Sequence, residues 1–187
     1  MPICGDKRMK RKMNMIEKIS VAVVWAFAAT ALFADIKLLE PAQDATVSQH
    51  TPMQARLVGE TIAEREKYFD GGVNAKELKA AGSKPKEILL KWQGGNAPYK
   101  VELRRLPDGK VFFSQTVNKT EAIVDSLEIA REWEWSVASA GETVRGRFKT
   151  QDSAPRLIKI NGAVNARDLG GWIGLDGRRI RQGLIFR

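Results

Sequence analysis

Between residues 87 and 150, apolar and polar positions alternate with a period of two. This period places every second side chain on one face of an extended strand, so it predicts six or seven short, half-buried β-strands. Turn signals recur about every 8 to 12 residues, as in a β-sandwich, and Asp108-Gly109 is typical of a hairpin turn. The predicted inward residues are Ile88, Leu90, Trp92, Tyr99, Val101, Leu103, Trp133, Trp135, Val137, Val144 and Phe148.

The chain before this stretch combines a strand with a helical pattern. Residues 35–39 predict one short strand, which a turn region rich in Pro and Asp follows. Thr51 as N-cap, Pro52 in the first turn and Gln54 as the capping-box partner then predict the start of a helix. A second, weaker helical pattern follows and ends in a glycine. We therefore predict a helical insertion over residues 51–84, between the first two strands of the sandwich.

Residues 1–34 have the composition of a secretory signal peptide. Six Lys or Arg side chains precede an uncharged stretch from Ile19 to Ala34, which ends in small residues. These sixteen residues are short of the roughly 20 that a helix needs to span a bilayer. We predict cleavage after Ala31 or Ala34 and a secreted or periplasmic protein, with no membrane association after cleavage. The alternative is an uncleaved N-terminal anchor.

The formal net charge of +9 is distributed unevenly along the chain. Residues 35–154 hold eighteen cationic and eighteen anionic side chains, so this part is neutral. Residues 155–187 hold seven cationic side chains against two anionic ones, and the predicted leader contributes the remaining excess. A domain that binds a nucleic-acid duplex needs a basic face opposite the phosphates. The charge distribution therefore argues against nucleic acid as a partner.

The sequence offers few residues for cysteine or histidine chemistry. Cys4 is the only cysteine and lies in the predicted leader, so the mature chain has no disulfide, thiolate nucleophile or Cys-based metal site. His50 is the only histidine. It follows the first strand without a recognisable partner, so we expect a loop residue rather than a ligand or a base. No cofactor and no metal are expected.

Residues 86–150 resemble a fibronectin type III domain. The family usually has a tyrosine where this chain has Trp133, whose indole N–H donates a hydrogen bond but does not accept one. The resemblance implies a mainly β fold, a two-sheet sandwich that we assign to residues 35–152. The residues that carry the match are Trp92, Tyr99, Val101, Leu103, Leu127, Trp133, Trp135, Val137 and the closing run Arg147 to Thr150.

Three strand tryptophans, Trp92, Trp133 and Trp135, have two alternative roles. Exposed aromatic rings stack on sugars in glycan-binding modules, whereas buried rings fill a core. All three residues are in register with the aliphatic residues of their own strands. We therefore expect core positions for them.

Residues 153–187, which we call the tail, begin with a linker and a predicted strand at 157–160. The pair Gly170-Gly171 then precedes a predicted hairpin with its turn at Asp176-Gly177. One interpretation is a decorative C-terminal hairpin on the sandwich. That interpretation explains the turn residues but not the accumulation of cationic side chains.

The tail also resembles a family. Its pattern is Asn-x-Arg-Asp-Leu-Gly-Gly-aromatic, followed by Asp-Gly-Arg-x-Ile-Arg-x-Gly-Leu-Ile-aromatic-Arg. This pattern resembles the N-terminal edge of the catalytic domain in a bacterial family of tyrosine and dual-specificity protein phosphatases. The matching residues are Asn165, Arg167, Asp168, Leu169, Gly170, Gly171, Trp172, Asp176, Gly177, Arg178, Ile180, Arg181, Gly183, Leu184, Ile185, Phe186 and Arg187.

The resemblance implies hydrolysis of phosphate monoesters, such as those of phosphorylated proteins, by an α/β domain. The nucleophile would be a cysteine thiolate in a Cys-(five residues)-Arg loop downstream of the motif. This sequence has no such loop, so we expect an inactive fragment of a longer secreted phosphatase. The alternative is a secreted fibronectin-like binding module for protein or glycan.

The candidate site residues of the motif are Asn165, Arg167, Asp168, Gly170 and Gly171. Within the phosphatase interpretation, Arg167 and Asp168 would line the wall of the phosphate site or support it from behind. The alternative is a structural ion pair between Arg167 and Asp168 that fixes the turn. No catalytic residue is expected in this chain.

Overall fold

The computed structural model describes residues 35–57, 63, 84–163 and 165–187 of the chain. The predicted signal peptide at 1–34 and most of the predicted helical insertion lie outside the described residues. The segment Ala34–Arg187 forms one compact unit.

The described elements are nearly all strands, which confirms the mainly β class. In chain order they are β1 (Lys37–Glu40), β2 (Ala45–Val47), α1 (Pro52–Leu57), β3 (Ile88–Gln93), β4 (Tyr99–Arg105), β5 (Val111–Val117), β6 (Glu121–Val124), β7 (Glu132–Ser139), β8 (Glu142–Thr150), β9 (Arg156–Leu157) and β10 (Arg167–Asp168).

Two main sheets and one small strand pair organise these elements. One sheet is antiparallel with the order β1-β3-β6, and the other has five strands in the order β2-β8-β7-β4-β5. In the five-stranded sheet β2 runs parallel to β8, while β8, β7, β4 and β5 are antiparallel neighbours. Strands β9 and β10 of the tail form a separate antiparallel pair.

One hydrophobic core takes side chains from both main sheets. The inward positions that the alternation predicts are buried, and Val144 is partly buried against the core. Trp92, Trp133 and Trp135 are each at most 1% exposed. Their role in the core is therefore confirmed, and their rings have no free face for a sugar. The largest fully buried side chains of this core are Trp92, Trp133, Trp135, Phe148, Leu90, Leu103, Leu127, Val101 and Val137.

Trp133 makes a hydrogen bond through its indole N–H. Its indole Nε1–H donates to Thr150 Oγ1 at 3.3 Å, and the Thr150 hydroxyl donates to the carbonyl of Glu128 at 2.6 Å. The Trp133 ring also meets Phe112 edge to face, with the ring centroids 5.1 Å apart. The indole is therefore anchored to β8 through Thr150.

Helix α1 begins as its capping box predicts. The Thr51 N–H donates to Gln54 Oε1 at 2.7 Å, and the Gln54 N–H donates to Thr51 Oγ1 at 3.2 Å. Strand β2 precedes this helix and is not predicted by the sequence, because three residues are too few to show a period. Its pairing with residues 148–150 of β8 makes the turn-rich segment extended.

The β4–β5 turn contains an exposed ion pair that changes a carboxyl pKa. Arg105 Nε lies 3.2 Å from each carboxylate oxygen of Asp108, and hydrogen bonding from Arg105 lowers the pKa of Asp108 from 3.8 to about 2. The stability that this pair contributes is present above pH 3.8 and is lost as the pH falls through about 2.

We expect Arg105→Gln to return the pKa of Asp108 toward 3.8, because the substitution removes the charged donor. NMR titration of the Asp108 carboxyl carbon measures this pKa. Arg104→Gln is the matched control, since Arg104 pairs with Glu102 instead. An Asp108 titration that is the same in Arg105→Gln and in the unaltered chain would contradict the assignment.

Candidate functional site

The tail folds into an irregular hairpin. Arg167 and Arg187 exchange two backbone hydrogen bonds of 2.9 Å each. Closer to the tip, the Gly174 N–H donates to the carbonyl of Arg178 at 2.8 Å. The predicted hairpin around Asp176-Gly177 is confirmed, with isolated bridges in place of long continuous strands.

Asp168 is the buried centre of this hairpin, with 0% of its surface exposed. Its Oδ1 accepts the Gly170 N–H at 2.8 Å. Its Oδ2 accepts one hydrogen bond from the Gly183 N–H at 2.7 Å and another from Arg156 Nη1 at 2.9 Å. A buried carboxylate is tolerated when it is both paired and hydrogen-bonded. One carboxylate therefore joins the glycine turn to the returning strand.

Arg156 connects this carboxylate to the sandwich. Its Nε donates to the Leu127 carbonyl at 3.1 Å, and its Nη2 donates to the Ser126 carbonyl at 2.6 Å. Both carbonyls belong to the connection between β6 and β7, and Arg156 is itself only 7% exposed. The guanidinium is therefore a buried bridge between Asp168 and the β6–β7 connection.

Two glutamines from distant segments bind the main chain of the same connection. Gln182 Oε1 accepts the Ile129 N–H at 2.9 Å, and Gln182 Nε2 donates to the Ile129 carbonyl at 3.0 Å. Gln49 forms the same double contact with Leu127, at 2.7 and 2.9 Å. Side-chain amides thus satisfy buried backbone groups that no strand pairs. Through Gln182, the tail satisfies buried backbone groups of the β6–β7 connection.

The glycine pair of the motif is required by space at one position and by conformation at the next. A Cβ on Gly170 would lie 2.3 Å from the Arg181 carbonyl oxygen and 2.6 Å from the Cα of Gln182. Gly171 has a φ of +92°, and a Cβ there would lie 2.8 Å from the side chain of Ile129. The left-handed conformation and these close approaches exclude a larger residue at either position.

Gly170→Ala is expected to destabilise the hairpin by about 1 to 3 kcal/mol, because the added methyl group collides with backbone atoms that must then move. Urea unfolding measures the loss, and hydrogen exchange of residues 165–187 locates it. Gly174→Ala is the control, since its Cβ would meet the end of the Asp176 side chain at 3.0 Å. Unchanged exchange in Gly170→Ala would show that the returning strand does not pack as described.

Asn165 and Arg167 lie outside the buried network. Arg167 is exposed, and its Nε and Nη2 donate to Asn165 Oδ1 at 2.9 and 2.6 Å. The expected alternative of an Arg167–Asp168 ion pair is wrong, because Asp168 pairs with Arg156. Successive residues of strand β10 point to opposite sides, which separates the exposed Arg167 from the buried Asp168.

His50 lies in the loop between β2 and α1, as expected, but it has a partner. It is 6% exposed, and its Nε2 lies 3.0 Å from the carbonyl oxygen of Pro155. The expectation of no partner is wrong because Pro155, which brings this carbonyl to His50, lies 105 residues later in the chain.

Sequence reasoning missed the side chains that bind the main chain of the β6–β7 connection, namely Arg156, Gln182 and Gln49. Gln182 occupies a variable position of the motif, and Arg156 lies in the linker before it. Their partners in the β6–β7 connection are 29 to 78 residues away in the chain, so no local spacing reveals these contacts. A weak signal existed for Arg156, a cation directly ahead of an apolar strand.

The hairpin exposes many large apolar side chains. Each is at least 43% exposed, and Leu175 at the tip is fully exposed. Contiguous exposed apolar patches are typical of surfaces that bind another structure. The residues are Leu169, Trp172, Ile173, Leu175, Ile180, Leu184, Ile185 and Phe186.

Comparison with known proteins gives no match: no family model, no curated protein and no solved structure is significantly similar to the chain. Within the described ranges, no group of three or more His, Cys, Asp or Glu side chains is arranged to hold a metal ion. No helix among the described residues is both long and apolar enough to cross a membrane.

Proposed function

We propose that the chain is part of a secreted protein-tyrosine or dual-specificity phosphatase. In this proposal residues 35–152 are a fibronectin type III-like accessory domain, and residues 153–187 are the N-terminal edge of the catalytic domain. The substrate is a phosphorylated protein or another phosphate monoester. A Cys-(five residues)-Arg loop outside this sequence supplies the thiolate and holds the phosphoryl oxygens.

The proposal rests on one observation above all: residues from both halves of the motif hydrogen-bond to the carboxylate of Asp168. The first half contributes Asp168 and the Gly170 N–H, and the second half contributes the Gly183 N–H. A surface hairpin without a functional role needs turn residues but no fully buried carboxylate. The contacts therefore give a physical reason for the motif's spacing, which supports the phosphatase resemblance over a chance match.

The same contacts favour one role for Asp168 over the other. Its carboxylate is fully buried and already accepts three N–H donors, so it does not reach a substrate. We assign it to supporting the site from behind. Arg167 is exposed and donates to the neutral amide of Asn165, which leaves its charge available to a phosphate group.

The exposed apolar side chains of the hairpin also support the proposal. Trp172, Ile173, Leu175 and Phe186 are each at least 47% exposed, a costly arrangement for an isolated surface hairpin. In the proposed phosphatase, the rest of the catalytic domain covers these residues. The fibronectin-like part of the proposal is supported by two mainly antiparallel sheets around one core.

Phosphatase assays test the proposal. Residues 35–187 alone are expected to release no phosphate from p-nitrophenyl phosphate, because they contain no cysteine. A protein that continues in frame beyond Arg187 into a Cys-(five residues)-Arg loop is expected to hydrolyse this ester. Replacing the loop cysteine by serine should abolish the activity, since the hydroxyl is a far weaker nucleophile than the thiolate.

Two results would contradict the proposal. One is phosphatase activity of residues 35–187, which would require a nucleophile other than a cysteine thiolate. The other is a coding sequence that continues from Arg187 without any Cys-(five residues)-Arg loop. The latter result would favour the alternative of a secreted binding module.

A further inference from the structure

We propose that Gln49 is a positioning residue for the hydrogen-bond network of Asp168, and that it acts through the backbone carbonyl of Leu127. The coupling between these residues is a property of the described chain. Its consequence for catalysis rests on the proposed phosphatase, in which Asp168 supports the phosphate site from behind and Gln49 lets the sandwich fix that support.

The Leu127 carbonyl oxygen is an acceptor that two distant side chains share. Gln49 Nε2, from the segment between β2 and α1, donates to it at 2.9 Å, and Arg156 Nε, from the tail, donates to it at 3.1 Å. A carbonyl oxygen has two lone pairs, and these two donors use both. Leu127 is completely buried, so bulk water does not replace a lost donor. The position of Arg156 therefore depends on where Gln49 holds Leu127.

Gln49 binds both main-chain polar groups of Leu127. Besides the contact with the carbonyl, Gln49 Oε1 accepts the Leu127 N–H at 2.7 Å. Gln49 is itself fixed, since its own carbonyl accepts the Lys86 N–H at 2.6 Å and the residue is only 5% exposed. A double contact restricts orientation as well as distance. Gln49 therefore sets the direction in which the Leu127 carbonyl faces Arg156.

Arg156 transmits this constraint to Asp168 because its guanidinium is rigid. Its Nη1 donates to Asp168 Oδ2 at 2.9 Å, while its Nη2 donates to the Ser126 carbonyl at 2.6 Å. The five N–H donors of an arginine have a fixed planar geometry, so the atoms that bind the β6–β7 connection and the atom that binds Asp168 move together. A displacement of the Leu127 carbonyl therefore changes the contact with Asp168.

Asp168 extends the series into the returning strand of the hairpin. The oxygen that accepts Arg156 also accepts the Gly183 N–H at 2.7 Å. Hydrogen bonds thus run from Gln49 through Leu127, Arg156 and Asp168 to Gly183. Among the described residues, no hydrogen bond joins Gln49 directly to the hairpin. An effect of Gln49 on the Gly183 N–H is therefore a measure of this series.

His50 provides a second contact between the same segment and the tail. It directly follows Gln49, and its Nε2 lies 3.0 Å from the carbonyl oxygen of Pro155, the residue before Arg156. Adjacent residues of one segment thus bind the acceptor of Arg156 and the chain next to Arg156. This arrangement favours positioning over the simpler alternative, in which Gln49 only satisfies the buried main chain of Leu127.

Hydrogen exchange of the full chain, followed by NMR, tests the proposal. Gln49→Met removes both contacts with Leu127 and keeps a side chain of similar length. We expect the Gly183 N–H to exchange about tenfold faster, a size typical of coupling within one hydrogen-bond network. Amides of β7 report global unfolding, and their exchange should change less. The Nε–H resonance of Arg156 should also shift, since one of its acceptors moves.

Gln43→Met is the matched control. The exposed Gln43 accepts the Arg147 N–H on its Oε1 at 3.1 Å, so this variant also removes a contact between a glutamine and the main chain. That contact lies on β8 and does not involve the Leu127 carbonyl. Exchange of the Gly183 N–H should therefore be unchanged in Gln43→Met.

Arg156→Lys tests the route of the coupling. A lysine keeps a cation for Asp168, but its single ammonium group lacks the rigid fork that binds Leu127 and Asp168 together. In this background Gln49→Met should accelerate exchange at Gly183 no more than in β7. Circular dichroism verifies that each variant is folded. Should Gln49→Met fail to fold, Gln49→Glu replaces it, since it keeps an acceptor for the Leu127 N–H and loses the donor to the carbonyl.

Three results would overturn the proposal. The first is exchange at Gly183 that rises no more than exchange in β7, which would make Gln49 a general contribution to stability. The second is a local effect that persists in Arg156→Lys, and the third is the same local effect in Gln43→Met. These measurements do not use phosphatase activity. Their failure therefore leaves the proposed function untouched, and a failure of the phosphatase assays leaves the coupling untouched.

Discussion

Asp168→Ala is expected to lower the free energy of unfolding by about 3 to 5 kcal/mol, the cost of breaking a buried ion pair. The substitution leaves Arg156 buried without its anion, and it removes the acceptor of the Gly170 and Gly183 N–H groups. Each unsatisfied buried donor adds its own desolvation cost. Urea unfolding followed by tryptophan fluorescence measures the change.

Two further variants show whether the buried charge causes this loss. Asp176→Ala removes an exposed carboxylate of the same hairpin, which pairs with Arg178, and should change the stability by less than about 1 kcal/mol. The double variant Arg156→Met/Asp168→Leu removes both charges and should recover part of the loss. Equal losses in Asp168→Ala and Asp176→Ala would contradict the central role of Asp168.

Trp133→Ala is expected to cost about 3 to 5 kcal/mol of stability, because it opens a large cavity in the core. The Trp133 ring is completely buried and packs edge to face against Phe112. Its loss also removes a hydrogen bond to the hydroxyl of Thr150. Thermal and urea unfolding measure the effect, and the exposed Trp172→Ala is the control, for which we expect a change below about 0.5 kcal/mol.

Hydrogen exchange separates the two variants by location. Asp168→Ala should increase exchange mainly in residues 165–187 and in the β6–β7 connection, which Arg156 and Gln182 bind. Trp133→Ala should increase exchange in β4, β7 and β8, since its strand lies between β4 and β8. The same exchange pattern in both variants would show that the hairpin and the core do not contribute independently to the stability of the protein.

Strands β3, β4 and β7 were predictable because each is long enough to show its own period. In β3, β4 and β7 the alternation identified the core positions correctly, tryptophans included, since burial follows directly from the side on which a residue lies. The capping box of α1 was equally local, with its partners three residues apart. Contacts within a few residues leave a pattern in the sequence.

The candidate site was predicted only in part, because several of its contacts join segments that are far apart in the sequence. The motif identified Asp168, Gly170 and Gly171, but the sequence did not show that the cation facing Asp168 is Arg156 rather than its neighbour Arg167. Strand β2 and the contact of His50 with Pro155 were missed because both depend on segments about 100 residues apart. Such pairings depend on how distant segments meet in the fold, which no short window of sequence contains.

The double hydrogen bond between Gln182 and Ile129 has a consequence for the order in which the chain folds. Ile129 is nearly buried, and its N–H and C=O are satisfied by a side chain 53 residues later. During synthesis from the N-terminus, the described strands of the two sheets therefore leave the ribosome before Gln182, which binds their β6–β7 connection. The hydrogen bonding of the β6–β7 connection is therefore complete only after the residues of the hairpin have been synthesised.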